Sequence, residues 1–489
     1  MARLIGIQHR VKKTTQGEAR PTMVAIKTGD SVREFKLATE TDELDFVLGR
    51  FPTTWRNAAL EEDLTKFPKH HVDQGDKGKP TKVPAAYEGL GSDDVVSMYL
   101  GGSGDRLAYA LSRRGEEIGA AVWRTPPFRL VAKSAKEKEE AHRRLIEFYE
   151  RTPQHFYPVG PRDRDFIAVS EAFRSFKDSQ KDRMACAQRL RQRTIGSIFL
   201  SPDGKYPEGL IEDLYDERSA SDAILTVVEK EEARRESEMK KLVHKLDVWQ
   251  EIFGPIEGCG EVLAAGIISA IGNIRRFRSY EDITEVARLR EEVKRLEVVA
   301  CRTEDADKIE RADGENHFIR TGRIAKWKKE HGKEKEARAL YETLALMQQI
   351  SKIQKRYQSR IRAYAGVHVL GLDGKKMPPG TIRRSGDAMF ARRRHGVVAN
   401  WSPQLRQSLY NLSKQWSYRK DSPWGLRLRE NKKQDRLRHP EIVTETTAEG
   451  PKKRFTDGHI HNRGNWRTMT EFITFVAEKW MQLEESKSE

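Results

Sequence analysis

The sequence predicts an α+β fold that is mostly helical, and three observations predict it. Short apolar runs bounded by turns occupy the N-terminal third. Long stretches rich in Lys, Arg and Glu, with apolar residues three and four apart, fill most of the rest. Hydrophobic residues make up 37% of the 489 residues and charged residues 34%, a balance that builds cores only where long charged helices carry the remainder. At ~100–200 residues per domain the length accommodates about three domains or slightly more.

Arg3 to Gln8 reads as a strand, followed by a hairpin of Thr22 to Lys27 and Ser31 to Leu37. A second apolar run, Asp94 to Leu100, enters Gly101-Gly102-Ser103-Gly104 and then an amphipathic helix from Asp105 to Arg114. A third, Gly119 to Trp123, ends at Pro126-Pro127. Strand, glycine turn, helix, strand is the order of a three-layer α/β domain, expected over residues 1–160. Lys69 to Pro84 is polar and rich in Gly, Lys and Pro, which predicts an exposed loop. His70-His71-Val72-Asp73 inside it is isolated in sequence, so its histidines are expected in a loop or interface and no metal ligand set is expected.

From Arg162 the character changes to long charged helices, Arg164 to Leu200 and, after Ser201-Pro202-Asp203-Gly204, Pro207 to Phe253. Ile224, Val227, Val228, Leu242, Val243 and Leu246 recur as one face of a helical hairpin requires. That spacing fits either an antiparallel coiled-coil arm or an ordinary bundle; an arm over 161–253 is the expectation.

Gly254 to Ile268 combines a glycine hairpin with a small-residue helix. In a helix-hairpin-helix, glycines such as Gly258 and Gly260 let backbone amides at a helix N-terminus approach a phosphate. A tight helix–helix turn packed on small residues has the same pattern. Ile283 to Tyr364 is a second helical region whose mixed charge reads as solvated faces, with Asn316-His317 expected in a loop. These stretches form the expected domain 254–370.

The remainder, 371–489, carries Arg383 and Arg384, then Arg392-Arg393-Arg394, and an amphipathic helix around Gln404 to Trp416. A denser cluster follows in Arg419, Lys420, Arg427, Arg429, Lys432, Lys433, Arg436 and Arg438. Trp401, Trp416, Tyr418 and Trp424 are interleaved with these cations. Aromatic faces that stack bases, beside cations that neutralise phosphates, suit single-stranded or distorted nucleic acid. Core packing is expected to claim at least half of those aromatics.

A formal charge of +16, from 90 Lys+Arg against 74 Asp+Glu, makes a polyanion the expected partner. No apolar run is long enough to span a bilayer and no signal-peptide core follows Met1, so a membrane surface is disfavoured. Cys186, Cys259 and Cys301 are widely spaced and lack the paired arrangement that chelates zinc or builds a disulfide framework, which points to a reducing compartment.

The stretch from Pro255 through Ile271-Gly272-Asn273-Ile274-Arg275-Arg276-Phe277-Arg278-Ser279-Tyr280, resumed at Arg362-Ala363-Tyr364-Ala365-Gly366-Val367, resembles the C-terminal domain of transposases that include the pilin-gene invertases, bridge-RNA-guided recombinases. The two halves of that pattern are separated by an insertion, Asp282 to Ile361. A helical arm feeding such a module also resembles the Nop domain of box C/D ribonucleoproteins. In architecture the chain is similar to the TIGR-Tas proteins, prokaryotic and phage RNA-guided DNA-targeting factors. The resemblance implies a degenerate RuvC-like α/β domain, a coiled-coil arm, a Nop-like or helix-hairpin-helix-like centre and a basic C-terminal segment. It further implies a guide RNA and target DNA as partners, a homodimer, a cytoplasmic location, and Arg275 and Arg276 among the nucleic-acid contacts.

A RuvC-like nuclease needs about four carboxylates converging on two metal ions. Where the family carries the first aspartate this chain has Gln8, and where it carries the glutamate before the glycine turn it has Met98. The nearest match to the last pair is Glu137 with Glu140, whose spacing puts them on one helix face; an ordinary surface pair has the same spacing. Asp178 and Asp182 are a substitute pair, expected on the arm. Ser385-Gly386 ahead of Leu405-Arg406 matches the recombinase serine, which also fits a phosphate contact beside Arg383 and Arg384. His459-Ile460-His461-Asn462 lacks the ligand set of a His-Asn nuclease. The expectation is an RNA-guided DNA binder deficient in cleavage, needing no cofactor to bind and Mg2+ only if cleavage is retained. The alternatives are an active guided nuclease or recombinase, and a box C/D-like RNA scaffold.

Overall fold

A computed structural model describes residues 3–9, 21–74, 80–130, 134, 137, 139–278, 280–300, 317–367, 369–371, 388–390, 401–447 and 450–486. The fold is α+β and mostly helical, 66% helix with one mixed six-stranded sheet. It divides into Met1–Leu242 and Val243–Glu489.

In the first unit β1 (Leu4–Gln8), β2 (Thr22–Thr28) and β3 (Ser31–Leu37) form an antiparallel meander. Helix α1 (Glu40–Val47) follows, opened by a capping box in which Thr39 and Asp42 satisfy each other's backbone amides. The chain then leaves the main sheet for a separate hairpin, β4 (Phe51–Asn57) with β5 (Lys82–Glu88), and returns as β6 (Val95–Tyr99). After Gly101 and Gly102, both at positive φ, α2 (Asp105–Ile118) leads to β7 (Ala121–Thr125). Helix α3 (Ala141–Arg151) and the short β8 (Tyr157–Pro158) complete the layer. The sheet order is β3-β2-β1-β6-β7-β8, with β1, β6 and β7 parallel and the other neighbours antiparallel.

Central strands covered on both faces bury consecutive residues, as β1 does at Ile5, Gly6 and Ile7. Ile5, Ile7, Val24, Ile26, Val96 and Met98 pack with Phe46 of α1 and with Leu107 and Leu111 of α2. On the other face α3 lies so close to β1 that a side chain at Gly6 would overlap the carbonyl oxygen of His142.

The expected loop Lys69 to Pro84 is only partly a loop. Lys69–His71 is a 3-10 turn with His71 buried, and Lys82 begins β5, while residues 75–79 lie outside the described residues.

The long helices form an antiparallel hairpin of α4 (Pro161–Phe199) with α5 (Ile211–Ser221) and α6 (Ala223–His244). Arg191 pairs with Glu212 at 2.8 Å, and Arg183 with Glu232, so residues further out on α4 meet residues earlier in the return. The return is two helices rather than one, because Asp222 interrupts it and caps the backbone amide of Leu225 at 2.7 Å. On α6 Leu225 is 4% exposed, whereas Ile224 and Val227, expected inside, are 62% and 66% exposed.

In the second unit a π-helical turn, Trp249–Phe253, leads into the glycine hairpin and α7 (Glu261–Ile271). The insertion folds as α8 (Tyr280–Val299), α9 (His317–Glu330) and α10 (Glu334–Tyr364); His317, expected in a loop, opens α9, and Asn316 lies outside the described residues. Its core includes Ala300, Ile324, Ala325 and Leu340, with a second cluster of Val286, Leu289 and Ile353. Two small strands, β9 (Val369–Gly371) and β10 (Ala388–Phe390), precede α11 (Pro403–Tyr418) and α12 (Pro423–Arg438), each capped by a serine hydroxyl, Ser402 or Ser422. A hairpin of β11 (Val443–Thr447) and β12 (Gly450–Arg454) leads to α13 (Asp457–Ser486), which buries Met469, Phe472, Ile473, Val476 and Trp480. Among the described residues no helix is long and apolar enough to cross a membrane.

Because α3 sits on Gly6 through backbone, a Gly6→Val variant is expected to lose about 3 kcal/mol or more of stability. Urea unfolding of the full chain checks this, and a midpoint equal to wild type would refute the close approach.

Candidate nucleic-acid interface

The rim where a RuvC-like site would gather its carboxylates is built from the C-terminal ends of β1 and β6. Strand alternation puts Gln8 on the α3 side with Gly6, whereas Met98 points to the opposite side, into the core with Ile7. Tyr99, not Met98, therefore shares the Gln8 face. Burial pushes the Tyr99 phenol up, and Arg144 of α3 offsets this in part. Arg144 also holds Glu137 at 3.2 Å, so that candidate carboxylate already has a cation. Glu140 stands at the N-cap position of α3 without capping it through its side chain.

On the α2 side the structure supplies a carboxylate that sequence reasoning missed. Asp105, in the first turn of α2, receives Arg124 at 2.5 Å and Arg174 at 3.3 Å. Arg124 is buried, stands beside Met98 in the register of the neighbouring strand and also donates to the Tyr99 carbonyl at 3.1 Å. Two guanidinium groups thus occupy the carboxylate that a metal ion would need. Asp178 and Asp182 lie on α4, as expected, with Asp178 paired to Lys181 at 2.9 Å.

In the second unit the two halves of the glycine-rich motif come together although the insertion separates them. Arg276 lies over the rings of Phe277 (4.8 Å) and Tyr364 (4.3 Å), and the Tyr364 hydroxyl donates to the Ala270 carbonyl at 2.9 Å. Arg275 bonds Asn273, the cap of the same 3-10 turn. Gly366, at positive φ, packs against Trp401, whose ring would stand 2.8 Å from any side chain there. Arg406 is sandwiched between Trp401 (4.7 Å) and Trp466 (4.3 Å).

Gly258 takes a φ of 84°, which glycine reaches without strain, and lies against Gln415 and Arg419 at the end of α11. Gly260 is the N-cap of α7. The first turn of that helix already holds an anion of its own, Glu261, paired with His244 at 3.2 Å. Burial pushes the neighbouring Cys259 thiol up to about 12, so it stays protonated.

The basic cluster sorts into paired and unpaired cations. Arg427 binds Glu471 at 2.7 Å and Arg429 binds Asp421 at 3.1 Å, so these two are structural or rim contacts. The Arg419 guanidinium donates to the neutral amide oxygen of Gln415 at 2.5 Å and has no carboxylate partner among the described residues. Lys420, Lys432 and Lys433 have no carboxylate partner among the described residues. The Lys432 stem lies over Gly464 of α13. Burial lowers the Lys432 ammonium, and the charge of Lys420 lowers it further. One turn before Gly464, burial and then Lys432 lower the imidazole of His461. Of the interleaved aromatics, Trp416 is fully buried against Trp424 and Phe472, while Tyr418 is 79% exposed. His459 and His461 belong to the first turns of α13 rather than to a loop, and His461 bonds Asn465 at 2.9 Å. Ser385, Arg383, Arg384, Arg392, Arg393 and Arg394 lie outside the described residues.

His70 and His71 do not pair with nearby Asp73 but with Asp45 of α1, at 2.8 and 2.7 Å. Burial alone pushes the Asp45 carboxyl up, yet hydrogen bonds from His70, His71 and Arg50 outweigh it and leave the pKa below the ordinary value.

No family model matches the chain, and no curated protein matches it.

Replacing Arg124 by Met removes the buried partner of Asp105 and leaves only the half-exposed Arg174, so the variant is expected to lose about 3 kcal/mol. Denaturant unfolding measures this; an unchanged midpoint would mean that Asp105 does not depend on Arg124.

Proposed function

We propose that this chain is a guide-RNA-binding protein that finds DNA through RNA–DNA base pairing and has lost two-metal cleavage. The observation that carries nucleic-acid binding is the proximity of Lys420 and Lys432, neither of which has a carboxylate partner among the described residues. Gathering like charges costs free energy in the unbound protein, and a phosphate backbone turns that cost into affinity. Exposed Tyr418 next to Arg419 and Lys420 offers a face for an unstacked base.

The guided character rests on the resemblance to the TIGR-Tas proteins and bridge-RNA-guided recombinases. It is supported by the meeting of Arg276, Phe277 and Tyr364 from the two halves of the shared motif. A RuvC-like ancestry of the first unit is supported by three antiparallel strands followed by parallel β6 and β7. Loss of cleavage is supported by Gln8, by the burial of Met98, and by the arginines bound to Glu137 and Asp105. In such a protein base pairing supplies sequence choice while the protein supplies backbone contacts. The homodimer of this reading is supported by apolar residues left exposed on the helical hairpin, among them Phe199, Leu200, Ile224 and Val227.

Two linked measurements test the reading. RNA recovered with the full chain is expected to be one discrete species, and a random mixture would refute the guide. Binding of that RNA across a salt series is expected to lose about 2 from its log–log slope in a K420A/K432A/K433A variant, at ~0.7 per phosphate contact on a single strand. An unchanged slope would place the interface elsewhere.

A further inference from the structure

Among the described residues, Asp45, His70 and His71 are the group of metal-capable side chains whose ligand atoms all lie within 4.8 Å of one another. Asp45 sits in the last turn of α1, and the 3-10 turn Lys69–His71, within the excursion between β4 and β5, brings both imidazoles back to it. Both Nε2 atoms approach the same oxygen, Oδ2 of Asp45, while Arg50 Nε donates to Oδ1 at 2.9 Å. Arg50 therefore fixes the carboxylate plane and turns one oxygen toward the histidines, as an orienting partner does behind a metal ligand. The rings are held in place: His71 is buried with its centroid 5.7 Å from that of Tyr87, and His70 packs edge-on against His71 at 4.2 Å.

We infer that Asp45, His70 and His71 bind a zinc-like divalent transition-metal ion through Oδ2 and the two Nε2 atoms, with a fourth position open to water. A tetrahedral ion with bonds of about 2.0–2.2 Å holds its ligand atoms about 3.3 Å apart. The present 2.7 and 2.8 Å separations reach that value when each imidazole withdraws by about half an ångström. Two imidazoles and one carboxylate suit zinc or cobalt, whereas Mg2+ and Ca2+ favour an all-oxygen set. Arg50 opposes a cation, but its side chain is 42% exposed, so water screens much of that repulsion. The fourth position opens on the side of His70, whose side chain is 44% exposed, in contrast to 3% for His71. The ion would pin the β4–β5 excursion to α1, a role separate from nucleic-acid binding.

The test titrates the full chain, stripped with a chelator, with Co2+ and follows the visible d–d absorption of a tetrahedral site, then displaces it with Zn2+. One equivalent of Co2+ is expected to bind and to be released by zinc. His70→Ala, which removes a half-exposed ring without hollowing a core, is expected to weaken both ions by more than about tenfold while the circular dichroism stays that of wild type. Asp45→Asn, of nearly the same shape, is expected to do likewise. Wild-type protein that takes up no Co2+ would overturn the inference, as would either variant binding Co2+ like wild type, which would place the ion at other histidines.

Discussion

The close approach of α3 to β1 at Gly6 sets the arrangement of the N-terminal unit. Only a residue without a side chain lets the His142 carbonyl come so near the central strand, and the α1 and α2 side is packed just as fully by Ile5, Ile7 and Met98. With both faces sealed, a site built on the sheet itself falls at the rim where β1 and β6 end. What stands at that rim is decided by strand alternation: Gln8 and Tyr99 face α3, while Met98 faces α2. Two carboxylates near it are held by arginine, Glu137 by Arg144 and Asp105 by Arg124 and Arg174, while the buried Glu43 accepts from Thr22 and meets His9, the residue after Gln8, at 3.4 Å. A dication at this rim would have to displace those guanidinium groups, one of them buried, from their partners.

The second unit also matches buried carboxylates with arginine. Asp282, Glu471 and Asp435 are buried or half-buried and each is matched by arginine from a neighbouring helix. Lys420, Lys432 and Lys433 stand outside this pairing. These unpaired lysines matter more than the net charge, because a cation already paired with the protein's own carboxylate has less to offer a partner.

Much of this was legible in the sequence. The runs that became β1, β2, β3, β6 and β7 are short and apolar between clear turns, and the glycine hairpin, α7 and α11 fall where periodicity puts them. The β4–β5 hairpin was not legible because β4 is exposed along most of its length and so lacks an alternating pattern. At the start of α6 Leu225 lies inside instead of Ile224 and Val227, while Val243 and Leu246 are buried as expected. For the sites, composition marked the basic cluster but not its pairing, since Glu471 is 44 residues from Arg427. The Asp45–His70–His71 group was invisible for the same reason, its carboxylate and first imidazole being 25 residues apart across a hairpin.

The measurement that bears most directly on the central claim is to incubate the protein and its co-purified RNA with duplex DNA matching that RNA, in the presence of Mg2+. The account predicts that the DNA is bound in a match-dependent way and recovered intact. Cleaved DNA would contradict it, because it would require a set of metal-binding carboxylates that the arginine-bound Glu137 and Asp105 do not provide.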